Sequence, residues 1–164
     1  MTQYADAAFW LMLGAAPIAI WVVWSDLASM KIPNKAVLAL IGVYAVIGAM
    51  TLPLAVFAWS WLHLPVVLLI GFALNMLGGF GAGDAKFAAA MAPFVALGDT
   101  VSFALILSLL AVGTFITHRM ARMVPVLRSA TPGWASWDHK GFPFGIALAP
   151  ALILYLAMAS LHGI

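Results

Sequence analysis

AVLALIGVYAVIGAMTLPLAVFAWSWLHLPVVLLIGFALNMLGGFGAG, residues Ala36–Gly83, contains no Lys, Arg, Asp or Glu, and only His63 in it could carry a charge near neutral pH. Crossing the hydrocarbon core of a bilayer takes about 20 apolar residues in helical form. These 48 residues therefore hold two crossings and a tight turn, near Thr51–Pro53 or Ser60–Pro65. A chain with such a stretch is a helical membrane protein.

The other uncharged windows lie on either side. Ala7–Trp24 is the first, and the residues before it include no Lys or Arg, unlike a secretory signal. Ala88–Gly98 is short, and lengthens if its helix begins at Ala85; Val101–Thr117 and Pro143–Leu161 complete the set. The expectation is an all-α polytopic fold, one membrane domain over 1–164. Its six helices cover about 7–24, 36–53, 57–77, 85–98, 101–117 and 143–161, with a loop over 118–142.

Composition agrees. Of 164 residues, 66% are hydrophobic and 7% charged, against about 25% charged in soluble domains. Twelve charges could not clothe a soluble surface of this size. The pI of 9.2 rests on a net charge of only +2, so it does not point to nucleic acid. Cysteine is absent, which removes disulfides, thiolate metal sites and a cysteine nucleophile.

Six crossings put Lys31, Lys35, Lys86, Arg119, Arg122, Arg128 and Lys140 on one face. The positive-inside rule makes that face cytoplasmic and both termini non-cytoplasmic. A re-entrant fourth helix would send the four-base segment 118–142 outside. The same segment mixes Arg119 and Arg122 with Met120, Met123, Val124 and Leu127, then carries Trp134 and Trp137. Such a mixture suits a topogenic loop with anchors in the headgroup layer, or a docking surface for an anionic or membrane-bound partner.

Among the acids, Asp6, Asp99 and Asp138 sit where boundary or loop solvation accounts for them. Asp26 and Asp84 differ, because topology brings both to the cytoplasmic ends of their helices. Asp26 follows the first apolar span, in SDLASMKIPN (Ser25–Asn34); Asp84 follows a glycine-rich run, in GAGDAKF (Gly81–Phe87). Singly, each has a plain explanation. Asp26 could be an interfacial charge, Asp84 the N-cap of a helix from Ala85, and Asn34 the cap of the second helix. As a pair they do more. Two carboxylates in a low-dielectric site share one proton, so one can take a proton from water while the other polarises a carbonyl. Gly81 and Gly83 would let a substrate backbone come close. The run lacks the GK[ST] ending of a phosphate loop, the four His are scattered, and no Ser sits in a nucleophile elbow.

Asp26 with Pro33 seven residues on, GAGDAKF after two further spans, and FPFGIALAP (Phe142–Pro150) near the last helix together resemble the type IV prepilin peptidase family, GxGD aspartic proteases. The resemblance covers nearly the whole chain. It implies a bacterial inner-membrane enzyme that removes the short basic leader of a prepilin at the cytoplasmic face. By the same resemblance Asp26 and Asp84 are the catalytic pair, and Gly81, Gly83 and Lys86 belong to the active-site loop. Pro33, Asn34, Pro143, Phe144 and Gly145 support the motif. No cofactor or metal is implied. The implied partners are pilin-like membrane substrates and the lipid bilayer, without nucleic acid, and a homo-oligomer is compatible with the layout. Bifunctional members carry an added cytoplasmic segment, often with paired CxxC motifs. This chain has only Ser25–Asn34 there and no Cys, so it is similar to the short form serving Flp-type pili, without methyltransferase activity.

Two alternatives keep their own predictions. Pro150-Ala151-Leu152 spells the PAL motif of presenilin-like proteases, although Asp26 follows Trp24-Ser25 and leads into Ile32-Pro33-Asn34. A small ion- or proton-coupled transporter would also use intramembrane acids, and would move ions without cutting peptides. Of the remaining polar residues, Lys86 lies off the helical face of Asp84, free to snorkel or to meet a substrate acid. Asn75 is expected to bond another helix, and Gly145 to permit close packing.

Overall fold

The computed structural model describes residues 1–164, and it is helical throughout, without strands. Helix α1 runs Ala5–Ser29 and α2 Asn34–Thr51, the latter with a π-helical turn at Tyr44–Gly48. Helix α3 spans Leu54–Met76 and is kinked at Trp61–Leu62. Pro65 explains the kink, since it has no N–H to return to the carbonyl of Trp61. The reversal between α2 and α3 falls at Leu52, which is extended as a residue before proline prefers. There α3 folds back, and Phe57 and Trp61 pack on the buried ring of Tyr44.

The short helix α4 (Ala82–Met91) continues through 3-10 turns at Ala92–Phe94 and Leu97–Asp99. Helices α5 (Thr100–Ala121), α6 (Pro125–Ala130) and α7 (Gly145–His162) follow. Five helices are long and apolar enough to cross a membrane: α1, α2, α3, the Leu97–Ala121 segment containing α5, and α7. Helix α4 makes the sixth traverse in fewer residues. It begins beside the far end of α1 and arrives where the backbone N–H groups of Thr2 and Gln3 meet the Asp99 carboxylate.

The antiparallel pair α1 and α7 is the most extensive helix contact and the centre of the bundle. Alanines make it close: Ala8, Ala15 and Ala19 of α1 join Ala149 and Ala159 of α7 in one core with Leu11, Leu152 and Leu156. Helix α4 packs tightly on α3, where a Cβ on Gly71 would come within 2.9 Å of the Ala85 Cβ. Outside, large apolar side chains such as Leu69, Leu105 and Leu109 are exposed all round. An apolar exterior over a small-residue core is what lipid rather than water selects.

Both termini lie at one end of the bundle, where the Met1 amino group donates to the His162 carbonyl and the Ile164 N–H to that of Gln3. Helix α1 is about 37 Å long at 1.5 Å per residue, so Asp26, in its last turns, lies at the opposite end.

Candidate active site

The buried stripe of α1 runs Ala8, Leu11, Ala15, Ile18, Val22 and ends on Asp26. The apolar window stops at Trp24, but the helix continues to Ser29. Asp26 is therefore not past the helix end; it occupies a core position inside α1 and is buried. Its Oδ2 accepts a 2.7 Å hydrogen bond from the backbone N–H of Gly145. Gly145 opens α7, so that N–H is one of the unpaired donors of a helix N-terminus. Beyond Asp26 the chain turns at Met30, in the left-handed region at φ 54°, into the extended rim Lys31–Pro33.

Asp84 is half-buried in the first turn of α4. The helix starts at Ala82 with Gly81 in the N-cap position, which corrects the expectation that Asp84 caps a helix from Ala85. The carboxylate lies against Gly81 so closely that a Cβ there would collide with Asp84 Oδ2. A side chain at 81 would therefore push the Asp84 carboxylate out of this position, whereas the φ of Gly81 suits any residue. Asn34 is likewise no cap; Pro33 holds the N-cap position of α2.

Asp26 and Asp84 open on one cavity of about 480 Å³, together with Gly81, Gly83, Asn34 and Lys86. Lys86 points across its mouth, Nζ 3.5 Å from Asn34 Oδ1, and forms no ion pair with either carboxylate. Phe144 lines the cavity and packs edge-on against Phe80 of the glycine-rich loop. Pro33 and Pro143 do not line the cavity, nor does Gly145, which reaches the site through its N–H. The basic loop contributes lining that the sequence did not single out, His139 and Gly141, beside Phe142 at the head of the FPFGIALAP stretch. The Gly141 N–H donates to His139 Nδ1, closing a tight turn over the cavity, and Arg122 donates to the His139 carbonyl. Nothing in their spacing relates them to α1 or α4; only the docking of α7 brings them in.

Several expectations change. Asp99 is no solvated boundary charge: it is buried, and accepts from the Thr2 and Gln3 N–H groups and from the Tyr155 hydroxyl. Asn75 bonds the Phe80 carbonyl within its own loop, not another helix. Trp137 is no headgroup anchor; it is buried, stacks on His118 and donates to Thr131. Gly145 does more than ease packing, as its N–H holds Asp26. Pro150-Ala151-Leu152 lies inside α7, away from the cavity lining.

Two carboxylates brought close in a low-dielectric site resist ionising together and share one proton between them. Such a pair is equipped to accept a proton from water and to supply one to a carbonyl oxygen. No cluster of three or more His, Asp or Glu side chains forms in the molecule.

Among protein families, the model of the type IV leader peptidase family matches residues 9–116, about two thirds of the chain and both cavity aspartates. The chain belongs to the type IV leader peptidase family. It is thus a peptidase of a membrane-protease family, whose substrates are pilin-like. The matched region ends before α7, so the Gly145 contact with Asp26 and the His139 turn of this leader peptidase lie outside it. No curated protein and no solved structure matches the chain.

Proposed function

We propose that this leader peptidase removes the short leader of type IV, Flp-type prepilins at the cytoplasmic face of the bacterial inner membrane, with Asp26 and Asp84 as its catalytic pair. One observation carries the reading: the two carboxylates share one polar cavity at one end of an otherwise apolar bundle. The ionised member takes a proton from water as the water oxygen bonds to the scissile carbonyl carbon. The protonated member gives its proton to the carbonyl oxygen. The tetrahedral intermediate then collapses: one of its hydroxyls returns a proton to one aspartate, the C–N bond breaks, and the new amine leaves with the proton held by the other. Gly145 holds Asp26 for these steps through its N–H, and the absence of a Cβ at Gly81 leaves room for Asp84.

The seven basic residues support the orientation, since all belong to segments at the aspartate end: the α1–α2 turn, the start of α4, and the stretch from Arg119 to Lys140. By the positive-inside rule that end is cytoplasmic, and the termini, at the other end, are periplasmic. The test is co-expression of the chain, and of its Asp84→Asn form, with a Flp-type prepilin, following the precursor by mass. Loss of the leader with the parent chain alone is the expected result. An intact precursor beside a well-inserted parent chain overturns the reading.

A further inference from the structure

The segment between α6 and α7 crosses the aspartate end of the bundle, and one ring of α5 holds it on both sides. Trp137 stacks on His118 with ring centres 5.5 Å apart, and Phe142 meets the same ring edge-on at 6.0 Å. Only Asp138–Gly141 lie between these two anchors. Arg122, just past α5, donates to the His139 carbonyl. Gly141 faces Met30, whose N–H returns to the Asp26 carbonyl; a Cβ on Gly141 would stand 3.8 Å from the Met30 Cε. The turn is thus fixed on the Asp26 side of the cavity, where His139 and Gly141 form part of the wall.

Within the turn, the Gly141 N–H donates to His139 Nδ1 at 2.9 Å. A ring nitrogen that accepts carries no proton, so the imidazole is neutral with its proton on Nε2. Nε2 has no partner within the chain, which leaves it as the ring's one free polar atom in the cavity it lines. Such an N–H only donates, so its partner is an acceptor oxygen. Of the acceptors a peptide brings, a carboxylate is drawn instead to Lys31 and Lys86, which line the same cavity and are paired with no acid. A main-chain carbonyl remains, and glycines at 81, 83 and 141 in the wall let a backbone come near. We infer that His139 is a substrate-binding residue of this peptidase: its Nε2–H donates to a main-chain carbonyl of the peptide held in the cavity, on the Asp26 side. The inference rests on the proposed function, and gives the basic loop the task of holding the peptide on which the two carboxylates act.

Two variants separate this bond from the closing of the turn. His139→Asn keeps an oxygen near the place of Nδ1, able to accept from Gly141, and has no N–H where Nε2 lay. His139→Gln puts an amide N–H near the place of Nε2 and leaves the Gly141 N–H without its acceptor. His139 is exposed, so neither change opens the core, and an unchanged Tm in detergent checks this. kcat and KM are then measured for leader removal from a prepilin. His139→Asn should raise KM about 3–10-fold, the worth of one neutral hydrogen bond, with kcat held, while His139→Gln stays within about twofold of the parent. An Asn variant that cleaves as well as the Gln variant overturns the inference and leaves His139 with the turn alone. So does a loss confined to kcat. The KM penalty should persist when polar side chains flanking the cleavage site are changed singly to alanine. Its disappearance with any one of them means that a side chain is bound, and overturns the main-chain assignment. No cleavage by the parent chain overturns the proposed function itself, whereas cleavage by the parent with equal Asn and Gln variants removes His139 alone.

Discussion

The backbone N–H of Gly145 donates to Asp26 Oδ2 across 119 residues of chain, at 2.7 Å, and it does so from the first residue of the last helix. One bond thus ties the N-terminus of α7 to a carboxylate near the C-terminal end of α1. The tie leaves no room for a side chain: a Cβ on Gly145 would stand 2.8 Å from that oxygen and 3.2 Å from the Asp26 Cβ and Cγ.

Gly145→Ala should therefore displace the Asp26 carboxylate and lower cleavage at least tenfold, for a packing cost of about 1–3 kcal/mol. Gly42→Ala and Gly113→Ala are the matched controls, because a Cβ at either meets nothing within 4 Å. Cleavage assays on equal amounts of membrane-inserted protein decide. Wild-type activity in Gly145→Ala would remove the positioning role.

Asp26→Asn and Asp84→Asn should each lower cleavage by about 10²–10⁴-fold, the usual worth of a positioned acid or base. The double variant should be little worse than either single one, since residues acting as a unit are not additive. Single-turnover cleavage of a prepilin measures all three.

The rate should rise and then fall with pH. Below the lower limb both acids are protonated and no base remains; above the upper limb both are ionised and no proton donor remains. The two limbs belong to the pair rather than to either aspartate. A pH profile of kcat/KM with a single limb over the range in which the protein stays folded would contradict a shared proton.

At the other end, Asp99 and Tyr155 fasten the N-terminal residues to α7 and should matter for stability alone. Tyr155→Phe strips the hydroxyl from the Asp99 carboxylate and from the Ala96 N–H. It should cost about 1–3 kcal/mol through unpaired buried groups, read as a lower Tm in detergent, with leader cleavage unchanged below that temperature. A large loss of activity at full stability would instead link the two ends functionally.

What could be read from the sequence is what depends on local composition. Charge-free length marks a membrane-crossing helix without reference to any neighbour, so Ala36–Gly83 alone declares a helical membrane protein. Asp26 and Asp84 stand out because a charge beside an apolar run is costly wherever the rest of the chain lies. Where Asp26 sits within α1 is less local. The apolar window ends at Trp24, yet helical hydrogen bonding carries on to Ser29, so the carboxylate faces the core rather than the membrane boundary.

The contacts that make a site of these residues come from helix packing. The Gly145 bond, the place of His139 on the cavity wall and the burial of Asp99 join segments far apart in the chain, and most of the hydrogen-bond partners are backbone groups, which every residue type presents alike. No residue pattern announces such a donor. Small residues on α1 and α7 decide how closely these helices approach, and that approach sets which N–H meets Asp26. The sequence by itself determined the membrane, its approximate number of crossings and the acids to watch. Only tertiary packing decided that the two acids share a cavity and that a glycine N–H holds one of them.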